Sequence, residues 1–144
     1  MRSAAAIVLA ALACGGGSGD GSVDGTAEVG GAVVEAPYGE PFELGIGERA
    51  VAAGEFRVTF ERVVEDSRCP EGATCVQEGN AAAAFAVESD AGSATLTLHT
   101  GRQPRSASAM GGELRLVALG PRPHADAMID SAAYVATLIV SPAP

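Results

Sequence analysis

The stretch Phe56-Arg57-Val58-Thr59-Phe60-Glu61-Arg62-Val63-Val64 decides the fold. Phe56, Val58 and Phe60 alternate with Arg57, Thr59 and Glu61, the period of two that marks a strand with one buried face. The alternation breaks at Arg62-Val63-Val64, as an inserted residue in a β-bulge would cause. Upstream, Phe42, Leu44 and Ile46 alternate with Glu43 and Gly45, and residues 49–52 form another short extended piece. Downstream, residues 81–88 place Phe85 and Val87 on one face, and Ala94, Leu96 and Leu98 alternate with Thr95, Thr97 and His99. Leu114 and Leu116 alternate with Glu113 and Arg115, and residues 134–140 close the chain as an apolar strand before Pro142 and Pro144. The alanines at 81–84 have helical propensity, but Gly79-Asn80 before them and Phe85-Ala86-Val87 after them favour a strand. About seven strands separated by Gly, Pro and Asp signals predict an all-β domain, a single small β-sandwich, immunoglobulin-like or similar, over residues 41–144. Six aromatics (four Phe, two Tyr, no Trp) make a light core, so burial shared by two sheets needs a covalent supplement.

Composition narrows the function classes. The 144 residues carry 9 Lys+Arg against 18 Asp+Glu for a net charge of −9, and every cation is an arginine. An acidic chain with dispersed arginines has no electrostatic footprint for nucleic acid, so no nucleic-acid partner is expected. A hydrophobic content of 47% is too high for a disordered chain.

The first thirteen residues read as an export signal. Arg2 gives the positive start, and residues 4–12 are an uninterrupted apolar run, too short to span a bilayer. Ala11-Leu12-Ala13-Cys14 resembles the lipobox of bacterial lipoproteins. The resemblance implies cleavage before Cys14, lipidation of that cysteine, and a location in the bacterial cell envelope. An outer-membrane position, facing the periplasm or the exterior, is implied by Gly15 after the cysteine. Loss of Arg2 leaves a net charge of −10, so the lipid, and not surface charge, would hold the protein to the membrane. Residues 14–40 read as the lipidated cysteine and a flexible Gly/Ser/Asp-rich tether, long enough to span about 25–30 Å. Within it, Asp20-Gly21-Ser22-Val23-Asp24-Gly25 imitates the head of an EF-hand loop, but the position that needs a bidentate Glu is Gly31. It reads as acidic linker.

With Cys14 taken by lipid, Cys69 and Cys75 remain, and an oxidising compartment predicts a disulfide between them. A redox-active pair would favour Cys-x-x-Cys spacing, and zinc would need further ligands. Asp66-Ser67-Arg68-Cys69-Pro70, Gly72, Cys75 and Gly79-Asn80-Ala81 resemble a family of uncharacterised bacterial envelope lipoproteins with the pattern D-S-R-C-P-x-G-x-x-C-x-W-x-G-[NE]-A. The likeness extends over roughly residues 42–140 and implies a small β domain without an assigned activity. Gln77 stands where the family carries an aromatic, which weakens any role that side chain has there.

No nucleophile elbow or catalytic triad can be assembled, so no enzyme activity and no cofactor are expected. Glu65, Asp66, Arg68 and Glu78 flank the cysteine loop, and Arg68 beside Asp66 suits an ion pair that orders it. Three readings result. The preferred one is a non-catalytic, lipid-anchored envelope protein that binds a protein or envelope component through loops at one end of the sandwich. The second is a periplasmic copper carrier using His99, Met110, His124 and Met128, ligands suited to Cu(I). The third is a hydrolase inhibitor that presents the Cys69–Cys75 loop.

Overall fold

A computed structural model describes residues 33–53 and 55–144. The stretch expected to be an export signal, Cys14 and the calcium-like stretch lie outside the described residues. Among the described residues nine strands form two sheets: β1 Val33–Ala36, β2 Phe42–Gly45, β3 Arg49–Ala52, β4 Phe56–Asp66, β5 Ala81–Ser89, β6 Gly92–His99, β7 Ser106–Ala109, β8 Gly112–Gly120 and β9 Val135–Pro142. One sheet has the order β1-β3-β4-β5-β6 and the other β2-β9-β8-β7. The pairings among these nine strands are antiparallel except β1 with β3. The protein is a small all-β sandwich.

The period-two residues face each other across it. Phe56, Val58, Phe60, Phe85, Val87 and Leu98 of the first sheet are buried against Leu44, Leu114, Leu116, Ala136, Leu138 and Val140 of the second. The rings of Phe60 and Phe85 stack with centroids 5.0 Å apart at the centre. The expected break in β4 is a pair of register shifts, between Phe60 and Arg62 and between Val63 and Glu65. They bend the strand so that its end delivers Asp66 to one end of the sandwich. The alanines at 81–84 are a strand buried on both faces: Ala82 lies between Glu65 and His99 in the ladder, and Ala84 between Arg62 and Thr97, whose longer side chains flank it. Small residues in a central strand let the neighbouring strands' side chains close over it.

Two strands were not expected. Val33–Ala36, assigned by composition to the tether, pairs in parallel with β3, so ordered structure starts before residue 41. Its backbone hydrogen bonds to β3 decide this, and the glycines upstream mask it in the sequence. Ser106–Ala109 forms β7 without any large apolar side chain, held by its ladder with β8.

The turns after β1, β3, β5 and β7 gather at one end. The cysteine loop, the connection after β6 and the long segment between β8 and β9 gather at the other. This second end carries the candidate site.

Candidate functional site

The cysteine loop leaves β4 at Asp66 and returns to β5 at Asn80. Cys69 and Cys75 form the disulfide, with Cα atoms 5.9 Å apart. Inside it, Ala73 N donates to Pro70 O at 3.2 Å, with Gly72 at φ +86° in the third position of the turn. That is the type II turn for which glycine is the natural residue at this position. At the base the two limbs pair through their backbones, Ser67 N to Asn80 O at 2.7 Å and Cys69 N to Glu78 O at 2.8 Å. The limbs pass so closely that a Cβ at Gly79, whose φ is +74°, would sit 1.9 Å from Ser67 O. Gly79 therefore makes the closure possible.

Arg68 and Asp66 clamp this base to the second sheet. Arg68 Nε and Nη2 donate to Asp66 Oδ1 and Oδ2 at 2.8 and 2.7 Å, a bidentate pair with both side chains only 11% exposed. The same guanidinium donates to Leu119 O at the end of β8 and to Pro121 O beyond it, the latter at 2.9 Å. Tyr134 Oη, just before β9, donates to Asp66 Oδ2 at 3.0 Å. Burial pushes the Asp66 carboxyl up, but the hydrogen bonds from Arg68 and Tyr134 outweigh it and hold the group below its usual value. Burial, then the bond to Asp66, raises the Tyr134 phenol.

A carboxyl depressed in the folded state contributes stability above its unfolded value and loses it as pH falls through the folded one. Wild-type stability is accordingly expected to decline on acidification below about pH 4, the unfolded reference for Asp. In denaturant titrations across pH, Asp66→Asn should be less stable at neutral pH and show a flatter acid limb.

Asn80 is the second hub. Its Nδ2 donates to Glu65 Oε1 at 3.1 Å and lies 3.0 Å from His99 Nδ1, and its Oδ1 accepts from Gly101 N at 3.0 Å. Arg102 closes the group, donating through Nε to His99 Nδ1 at 3.2 Å and through Nη2 to Glu65 Oε1 at 3.1 Å. On the loop's other flank the segment between β8 and β9 runs alongside: Glu71 N donates to Pro123 O at 2.7 Å and Ala125 N to Glu71 O at 3.1 Å. His124 Nε2 stands 3.5 Å from Glu71 Oε2. The two loops are thus one hydrogen-bonded platform. Residues 71–79 are all exposed, Val76 fully so, and Met128 stands fully exposed on the neighbouring loop.

The residues of the cysteine motif are brought together, and every polar side chain among Asp66, Ser67, Arg68 and Asn80 is spent on holding the loop. The four residues of the copper reading are not. Met110 packs beside Gly92 at the start of β6, whereas His99 ends that strand, about 23 Å away. His99 Nδ1 faces two donors, and Met128 projects into solvent. Among the described residues no group of three or more His, Cys, Asp or Glu is placed to hold a metal ion. Sequence reasoning missed Tyr134, Leu119 and Pro121 as partners of the motif, and Glu71 as the link between the loops. The only signal available for any of them was Tyr134, a tyrosine directly before the largely apolar closing strand.

No protein-family model matches the chain. Neither a curated protein nor a solved structure matches it.

Proposed function

We propose that this protein is a non-catalytic, lipid-anchored component of the bacterial cell envelope that binds a protein partner through the cysteine-loop platform. The observation that carries the reading is an exposed loop held within the free chain at its base, at its disulfide and along Glu71. The disulfide, the paired limbs at Ser67 and Asn80 and the ladder at Glu71 hold it, while Val76 and Met128 are left in water. Ordering loops on binding costs affinity, so a loop already ordered in the free protein is suited to recognition. The polar groups of the motif support this division of labour, because they face the domain and leave contact to the loop tips. The lipobox-like Ala11-Leu12-Ala13-Cys14 supports anchoring.

Two variants of the tagged full-length chain test the reading. Cys14→Ser should leave the membrane fraction, and Cys69→Ser with Cys75→Ser should remain folded. A closed loop of seven residues contributes only about 2 kcal/mol, less than the stability of a small domain. In a pull-down from solubilised envelopes the wild type should capture a partner that the double cysteine variant loses. A Cys14→Ser protein that still sediments with membranes contradicts the anchor. Equal capture by the opened loop contradicts the platform. A captured hydrolase whose activity falls on binding would make the loop an inhibitor.

A further inference from the structure

The chain has two histidines, and both sit on supports of the cysteine loop, in opposite electrostatic settings. His99 supports the returning limb. The orientation of Asn80 is settled by the Gly101 N–H, which donates to its Oδ1, so the end turned toward His99 is the amide nitrogen. The Arg102 Nε can only donate. Two N–H donors therefore meet one ring nitrogen, which requires a lone pair at Nδ1 and places the proton of neutral His99 on Nε2.

Protonation of His99 would replace that lone pair with a third donor beside a guanidinium, and the contact would have to open. The groups that face the ring are Glu65 from β4, Asn80 from the loop's return and Arg102 from the connection after β6, while its ladder neighbour on β5 is the uncharged Ala82. Glu65 Oε1 already accepts from both Asn80 and Arg102. Asn80 also carries the limb pairing to Ser67, so its displacement loosens the base of the loop.

His124 supports the tip and responds in the other sense. It faces the carboxylate of Glu71 at 3.5 Å, with Arg122 and Asp126 on its own segment, and a positive ring there gains an ion pair. We propose that the Cys69–Cys75 loop is a pH-responsive element, in which protonation of His99 frees the returning limb at Asn80 while protonation of His124 keeps the tip at Glu71 on the neighbouring loop. The inference does not depend on the identity or existence of a partner.

Hydrogen exchange on the detergent-solubilised full chain tests it, with rates corrected for their intrinsic pH dependence. Between about pH 7.5 and 5, protection at the Ser67 and Gly101 amides should fall by about tenfold, the effect of losing one or two hydrogen bonds, while Glu71 N–H keeps or gains protection. His99→Gln supplies a non-titrating acceptor, and its acid and neutral protection should agree within about twofold. Nitrogen NMR of the wild type at neutral pH should find the His99 proton on Nε2. A flat wild-type profile, an equal fall in His99→Gln, or a neutral His99 protonated on Nδ1 would each overturn the proposal.

Discussion

Arg68→Ala is expected to lower the stability of the domain by about 3 kcal/mol, the low end of the cost of breaking a buried ion pair, because this pair is mostly but not fully removed from water. The magnitude follows from what the guanidinium does. It meets both oxygens of Asp66 and also takes up the carbonyls of Leu119 and Pro121, so its loss leaves a carboxylate with Tyr134 and a single backbone N–H, and two carbonyls without this donor. For a domain near 100 residues the melting temperature should fall by about 12 °C or more. Arg68→Lys should recover little, because an ammonium cannot reproduce the planar fork across Asp66 and two carbonyls. Calorimetry of the three proteins at neutral pH checks this. A loss below about 1 kcal/mol in Arg68→Ala would mean that the clamp is an exposed, weak pair after all.

Gly79→Ala is expected to cost about 3–5 kcal/mol, from backbone strain and from parting of the limbs. The added Cβ would meet Ser67 O, Ser67 C and Arg68 Cα at 1.9, 2.7 and 2.9 Å, and none of these is a movable side-chain end. Relief requires the limbs to separate, which breaks the Ser67–Asn80 and Cys69–Glu78 hydrogen bonds. Gly72→Ala is the control. It has a similar positive φ of +86°, yet the nearest atom to a Cβ there is Ala125 Cβ at 4.0 Å, so it should cost only about 1 kcal/mol of conformational strain. Equal costs at the two positions, measured by denaturant unfolding, would show that close approach is not what Gly79 provides.

These two residues mark the limit of what can be read from the chain alone. Strands such as β4, β6 and β9 were legible because a half-buried strand writes its pattern every second residue. β7 was not, since Ser106-Ala107-Ser108-Ala109 contributes backbone pairing and little apolar surface. The Arg68–Asp66 pair was legible because its partners are two residues apart. Its extension to Leu119, Pro121 and Tyr134 was not, because backbone carbonyls leave no mark in a sequence and Tyr134 lies 68 residues from Asp66. The ligand types of His99 and Met110 suit a shared Cu(I) set, but β6 runs its full length between His99 and the Gly92 end where Met110 packs. Spacing along a chain says little about distance once a strand reverses.

Site-specific photo-cross-linking in the producing cell decides whether the stapled platform is where this protein meets a partner. A diazirine side chain is placed at Val76 or Met128 on the platform, or at Asp90 in the turn between β5 and β6 at the opposite end. A discrete protein adduct is expected from Val76 and from Met128 and none from Asp90. An adduct from Asp90 with none from either platform position would contradict the platform as the meeting place.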